Sequence, residues 1–380
     1  MKIRVPLLVL VSGVVLVDTV FFTALSPLLP HYAHGLGLSK AQIGLLVAAY
    51  PIGTLVGAVP GGVVATRVGV RPAVLVGLAT MSVATFVFGY AHSAALLDGA
   101  RFVQGVAGAC TWAGGLAWLS DATPPERRGA ALGTAFAAAL GGGLLGPIVG
   151  AVASHVGTGP TFAAATVAGI CLAVASALAP AGSGSSAQTL RRAWPALGDP
   201  VLATGMWLTF VAGLSLGVID VLAPLRLNRL GAGAVVIAGA FLGAAALEMV
   251  LAPMVGRLSD RVGRMTPVRA SLAVAAVVGV LAPLLHPAAV LVVLLVVGLP
   301  AFGTLFVPAA AMISDGADRA GLHHGLAFGL GNLAWASGQG VSAASSGALA
   351  QATTDLVPYL LIAGVVLATL VALRRPAPAG

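Results

Sequence analysis

Charge is what this sequence has least of. Asp, Glu, Lys and Arg together make up 8% of its 380 residues, where a soluble domain carries about 25%. So few charges cannot clothe a water-facing surface, which excludes an ordinary soluble protein. Cysteine is scarce as well. Cys110 and Cys171 stand in separate apolar runs with no CxxC and no Cys/His spacing, which excludes a disulfide framework or a thiolate metal site. All seven His fall in connections or at the ends of apolar runs. Within the runs there is thus no HExxH, no Ser/His/Asp set and no cluster of metal ligands. No enzyme activity, metal or cofactor is expected.

What the chain has instead is hydrocarbon. Hydrophobic residues make up 59% and mean hydropathy is +1.04. A helix needs about 20 apolar residues to cross a bilayer. Twelve such runs follow one another at 6–30, 41–64, 73–91, 95–119, 130–154, 160–180, 201–225, 234–256, 267–286, 288–313, 325–350 and 356–373. The first is too long for a signal-peptide core and carries Asp18, so it reads as a membrane helix and not a leader. The 51 Gly and 23 Pro suit polytopic helices, whose neighbours re-satisfy freed backbone groups.

Net charge is +8, which raises the question of nucleic acid. The distribution excludes it. With twelve helices and an inside N-terminus, Lys2, Arg4, Arg67, Arg71, Arg127, Arg128, Arg191, Arg192, Arg257, Arg261, Arg264, Arg269, Arg319, Arg374 and Arg375 all fall on the cytoplasmic side. Only Lys40, Arg226 and Arg229 fall outside. This bias is the positive-inside rule, and it places both termini in the cytoplasm. The Arg-, Ala- and Gly-rich composition suggests a GC-rich bacterial genome and hence a bacterial plasma membrane. A monomer in the lipid bilayer is the expected state.

The longest polar stretch, "APAGSGSSAQTLRRAWPALGDP", reads as a flexible cytoplasmic linker over 181–199, between halves 1–180 and 200–380. The halves repeat. At an offset of 194, Pro30 meets Pro224, Gly37 meets Gly231, Gly62 meets Gly256, Arg67 meets Arg261, Gly69 meets Gly263, and Ser120–Asp121 meet Ser314–Asp315. Two residues later in register, Gly129, Ala131 and Gly133 meet Gly325, Ala327 and Gly329. The expected fold is therefore all-α and membrane-integral, with twelve transmembrane helices in two pseudo-symmetric halves of six.

Two parallel six-helix repeats resemble the major facilitator superfamily, in which substrate binds near the midplane between the halves. "GRLSDRVGRM" (256–265) resembles that superfamily's loop signature. It implies a gating role for Gly256, Asp260, Arg261, Gly263 and Arg264, with Gly256 letting the eighth run approach the eleventh. The first-half copy, "GVVATRVGVR" (62–71), supplies Gly62, Arg67, Gly69 and Arg71 but has Thr66 where the acid belongs. "RFVQGVAGAC" (101–110) resembles the fourth-helix signature of proton-coupled members. Arg101 can pair locally with Asp98 or alternate between a carboxylate and substrate. "GGGLLGPIVGA" (141–151) matches the fifth-helix antiporter signature. Gly142, Gly146 and Gly150 share one helical face that lets another helix approach, and Pro147 frees a carbonyl.

Asp18, Pro27 and Pro30 resemble the first helix of drug:proton antiporters, with local likeness to tetracycline-type efflux proteins and vesicular amine transporters. Asp220, four residues before Pro224, fits the amine branch. Gly303 and Asn332 stand where that branch carries acids in its tenth and eleventh helices. The acids left within the runs are Asp18, Asp220 and Glu248. A carboxylate in hydrocarbon is expensive and marks function or a structural hydrogen-bond network. Phe21, Phe22, Trp112, Trp207, Phe210, Phe306 and Trp335 can line a pocket for an organic cation. The resemblance implies a secondary transporter exchanging protons for a small amphiphilic or cationic molecule. The rival readings are an uptake carrier or facilitator of the same fold for a sugar, amino acid or metabolite and, more remotely, a polytopic membrane enzyme.

Overall fold

The computed structural model describes residues 5–180, 195–322 and 324–373. Lys2, Arg4, Arg191, Arg192, Arg374, Arg375 and most of the 181–199 linker lie outside the described residues, as do the surroundings of Gly62, Thr66, Arg128, Gly129 and Gly325.

Among the described residues the secondary structure is helical, without strands. The α-helical segments are α1 (Val5–Thr23), α2 (Leu29–Gly35), α3 (Lys40–Arg67), α4 (Val70–Gly89), α5 (Ala94–Asp121), α6 (Pro125–Val156), α7 (Thr158–Leu178), α8 (Pro200–Arg229), α9 (Ala234–Val262) and α10 (Met265–Leu281). They continue with α11 (Ala288–Gly298), α12 (Pro300–Gly303), α13 (Phe306–Ala320), α14 (His324–Ala352) and α15 (Leu356–Ala372). Each of the twelve apolar runs is thus helical. Eight spans are long and apolar enough to cross a bilayer on those grounds alone, and α10 and α15 are shorter apolar helices. The remaining two, α5 and α14, are 28 and 29 residues long but diluted by Gly, Ser, Thr and Gln.

Two runs are interrupted, and proline is the reason in both. Pro27 and Pro30 have no N–H to return to Thr23 and Ser26. α1 therefore stops at Thr23, a 3₁₀ turn covers Ser26–Leu28, and α2 resumes at Leu29. The tenth run, read as one helix over 288–313, is instead three segments, α11 to α13. Pro300 and Pro308 lie at these joints, and Thr304 Oγ1 donates to the Pro300 carbonyl at 2.6 Å.

The chain divides into two compact units. One comprises Met1–Leu38 and Leu45–Arg192; the other comprises Ser39–Gly44 and Ala193–Gly380. Their internal packing follows one plan. In the first, α1 lies on α6 and α4 on α7; in the second, α8 lies on α14 and α10 on α15. The third pairing is α3 on α5 through Gly53 and Gly57, matched by α9 on α11 and α12. The repeated glycines have a backbone reason. Gly37 and Gly231 take φ of 63° and 87°, and Gly69 and Gly263 take 111° and 87°, values that L side chains rarely adopt.

Candidate functional site

In the first unit, the chemistry gathers where α1 breaks. Asp18 is 5% exposed. Tyr50 Oη donates to its two oxygens at 2.9 and 2.8 Å, and Trp112 Nε1 donates to Oδ2 at 2.7 Å. Gly108 on α5 makes room for this arrangement: a Cβ there would lie 2.6 Å from Tyr50 Oη and 2.8 Å from Asp18 Oδ1. A carboxylate placed in hydrocarbon must find such donors within the protein.

Arg101 is 1% exposed. Its Nη1 donates to Phe21 O at 2.9 Å and to Gln104 Oε1 at 3.2 Å, and its Nη2 donates to Phe22 O at 3.3 Å. Two of these acceptors are last-turn carbonyls of α1, the end of a helix that carries partial negative charge and attracts a cation. The guanidinium also lies over the Tyr50 ring at 4.9 Å and the Phe22 ring at 5.8 Å, a cation–π arrangement. The local alternative, an Asp98–Arg101 ion pair, does not form among the described residues. Arg101 connects to Asp18 through Tyr50, which gives one acid a hydroxyl and one cation a π face. Gln104 extends the chain by donating to Thr85 Oγ1 at 3.0 Å.

The expected glycine face of α6 rests on this same stretch of α1. A Cβ at Gly142 would lie 2.8 Å from Thr19 Cβ. One at Gly146 would collide with Thr23 Oγ1, and one at Gly150 with Ala24 O. Pro147, also buried, lies next to Gly146. The glycine face of α6 thus approaches the helix carrying Asp18 too closely to admit a side chain at these three positions.

The second unit is arranged more sparsely. Asp220 is half-buried and accepts one hydrogen bond, from Gln339 Nε2 at 2.7 Å. Glu248 is half-buried on α9 with no hydrogen bond or ion pair among the described residues. Its carboxyl lies directly over Gly303, so that a Cβ there would overlap it. Gly303 is the position where the amine-branch resemblance expects a tenth-run acid, and here a carboxylate arrives from α9 instead. Asn332 is half-buried on α14.

At one end of this unit, Arg264 bridges two acids. Its Nη1 donates to Asp260 Oδ1 at 2.8 Å and its Nη2 to Asp315 Oδ2 at 3.4 Å. Arg261 is exposed. Gly256 meets Val307 Cγ1 at 3.6 Å from a Cβ position. Its neighbour is therefore α13 and not the eleventh run, because α9 packs along the segmented tenth run. In the first-unit copy Arg67 is exposed and Arg71 half-buried.

Of the aromatics, Phe21, Phe22 and Trp112 join the Asp18–Arg101 cluster. Trp207 is 46% exposed and stacks on Phe210 at 5.6 Å. Cys171 is exposed. Tyr50 and Gln104 were missed by sequence reasoning. The available signal was a phenol and an amide inside apolar runs, each of which needs a partner there.

Residues 11–343 match the family model of the Major Facilitator Superfamily. The chain belongs to this superfamily. It is a multi-pass membrane protein with the superfamily's helical fold. A curated superfamily relative, the quinolone resistance protein NorA of Staphylococcus aureus (strain MRSA252), is 29% identical over 130 residues, covering 34% of each protein. The chain thus aligns with about a third of that relative's length. The crystal structure of a D-xylose–proton symporter superposes with TM-score 0.81 over 99% of this chain and 98% of its own, at 13% identity. A nucleoside transporter NupG variant gives 0.75 over 97% and 98%, at 12% identity. At such identities the solved structures establish the superfamily fold alone.

Proposed function

We propose that this transporter exports a small amphiphilic or cationic organic molecule in exchange for protons by alternating access, with Asp18 as the principal proton site. The observation that carries the reading is Asp18 itself: a membrane-buried carboxylate held by Tyr50 and Trp112, one ring away from Arg101. Protonation removes its charge and changes what those donors hold, and Tyr50 links that change to Arg101, which holds the carbonyls at the end of α1. Glu248 and Asp220 are second-unit acids for coupling or substrate, with Glu248 taking the place of the missing tenth-run acid. Asn332 is a polar group for substrate. The Arg264–Asp260–Asp315 cluster serves as the cytoplasmic latch, with Gly62, Arg67, Gly69 and Arg71 as its weaker copy. The α6 glycine face supports export over uptake, as does the partial similarity to NorA, a quinolone resistance protein. We place the protein in a bacterial plasma membrane as a monomer, both termini cytoplasmic, with halves 1–180 and 200–380 joined by 181–199.

The test uses everted vesicles and a panel of organic cations and neutral amphiphiles, scored by proton release on addition of each compound. Asp18→Asn keeps size and hydrogen-bonding capacity but cannot titrate. It should abolish substrate-induced proton release and uphill transport while leaving passive exchange of a neutral substrate. If the mutant still drives uphill transport with unchanged pH dependence, Asp18 is structural. In intact cells, collapsing the proton gradient should raise accumulation; a fall would establish uptake and overturn the direction.

A further inference from the structure

Lys40, Arg226 and Arg229 are the basic residues that the charge bias places outside, and in the structure all three line one cavity of about 380 Å³. The cavity belongs to the second unit, which includes Ser39–Gly44. It is completed by Thr353, Thr354, Asp355 and Leu356, at the end of α8 remote from Asp199. Charges converging from α3, α8 and the turn before α15 are not an accident of one helix face.

The charges do not balance. Asp355, 7% exposed, accepts from Lys40 Nζ at 2.5 Å and also pairs with Arg229. Burial works to raise its carboxyl, and the Lys40 and Arg229 partners outweigh burial and hold it below the usual carboxylate range. Arg226 donates through Nη2 to Leu285 O at 2.6 Å. It has no anionic partner among the described residues, and its Nε is buried without an acceptor. Three cations therefore line a cavity that holds one carboxylate, and only Lys40 and Arg229 pair with it. The same cavity reaches the N-terminus of the 17-residue α15. That helix has no acidic residue in its first turn, and Asp355 does not cap it with its side chain. In that first turn Pro358 has no N–H and Val357 N donates to Thr354 O, so the Leu356 amide and the partial positive charge of the helix start add to the site.

We propose that this cavity binds a phosphate-type oxyanion, held by Arg226, Arg229, Lys40 and the start of α15. The anion competes with Asp355 for Lys40 and Arg229 and supplies the counter-charge that Arg226 lacks. Phosphate presents the oxygens to accept several N–H groups at once, which suits guanidinium forks. Such an anion can be free in solution or the headgroup of an anionic lipid, since the cavity lies at helix ends, where lipid phosphates lie.

Two arms distinguish the sources. In one, the unfolding midpoint of detergent-purified protein is followed against inorganic phosphate at constant ionic strength. In the other, with no inorganic phosphate in the buffer, nanodiscs of phosphatidylcholine are compared with discs containing phosphatidylglycerol. A saturable rise in the first arm identifies a free anion; a rise confined to phosphatidylglycerol identifies a lipid. In whichever arm responds, Arg226→Gln should raise the half-saturating concentration by about tenfold or more, the loss of a charge-assisted hydrogen bond. Asp355→Asn, which removes the competitor, should lower it. Arg226 belongs to no ion pair, so its variant keeps the proposal testable if Asp355→Asn fails to fold. No saturable response in either arm, or a response unchanged by Arg226→Gln, overturns the site.

Discussion

Gly108 in the first unit and Gly303 in the second stand one residue apart in the 194-residue register, and a carboxylate rests on each. The acids come from different helices: Asp18 from α1, Glu248 from α9. Their register partners are Ala212 and Thr54, so neither acid is repeated. Gly108 aligns with Phe302 and Gly303 with Ala109, so the notch is not repeated either, and each half makes its own space for its own acid. The halves also treat their acids differently. Asp18 receives N–H and O–H donors from Trp112 and Tyr50, with Arg101 behind the phenol. Glu248 receives none among the described residues. A repeat can thus preserve backbone packing while dividing labour between a preorganised acid and an unencumbered one.

The largest effect should follow from erasing this difference at Arg101, whose register partner is Leu295. Arg101→Leu removes the donors to Phe21 and Phe22 and the cation behind Tyr50. Removing one member of a buried charged network costs about 3–5 kcal/mol. We expect a large fall in the detergent unfolding midpoint and no transport. Arg101→Lys keeps the charge but cannot fork to two carbonyls, so it should recover stability in part. Wild-type stability in Arg101→Leu would mean that the guanidinium does not secure the end of α1.

The next comparison concerns small residues. In the first unit glycines lie on α6, with Gly146 against Thr23. In the second, Gly338 on α14 keeps the place of Gly142 against α8, but at the next contact the glycine is on α8, with Gly217 against Ser342. The repeat pairs Thr23 with Gly217 and, in its later register, Gly146 with Ser342. The contact is the same and the small partner has changed sides. Gly146→Ser alone should clash with Thr23 and cost about 1–3 kcal/mol through overpacking. Gly146→Ser with Thr23→Gly recreates the second-unit arrangement and should regain most of that loss. A double mutant no better than the single would show that the two interfaces are not equivalent.

The twelve runs, the repeat and the acids were legible because hydrocarbon, register and charge are properties of sequence. The Gly37/Gly231 pairing supported the repeat, and its backbone reason, a positive φ in both units, came from the structure. The partners of the charges were not legible. Arg101 could be matched with Asp98 by spacing, but its acceptors are carbonyls freed where prolines end α1, some eighty residues away. The three-segment tenth run was missed because Pro300 and Pro308 lie within uninterrupted apolar sequence. Glu248 looked unplaced because the space that receives it is made by the absence of a side chain at Gly303.

That absence can be filled. Gly303 aligns with Ala109, so Gly303→Ala copies the first unit. The new Cβ would overlap the Glu248 carboxyl, which is the mobile end of a side chain and can swing away. A helical Gly→Ala change also gains about 0.5–1 kcal/mol, so stability should change little. If Glu248 contributes to coupling from this notch, substrate-induced proton release should fall while substrate binding persists, and Glu248→Gln should produce the same deficit. Normal proton release in both variants would leave the second-unit notch without a role in coupling.

The smallest expected effect tests the two halves at their helix starts. Asp199 caps α8: its Oδ1 accepts from the amides of Val201 and Leu202, both at 2.9 Å, and from Arg319 at 3.2 Å. Its register partner is Val5, which has no acceptor to offer. The Leu202 amide comes first among the causes that hold the Asp199 carboxyl below its ordinary value of 3.8, against the opposing effect of burial. Because the folded value is depressed, the capping stability is fully present above the unfolded value. It is lost as pH falls below that value and through the folded one. Asp199→Ala should cost about 1 kcal/mol at neutral pH. Asp199→Asn keeps a good cap and should cost less, while the acid-side decline in stability becomes shallower. Thermal unfolding of wild type and both variants from neutral pH down through the carboxylate range provides the measurement. If the Asn variant keeps the wild-type acid decline, the titration that weakens the protein lies elsewhere than at the start of α8.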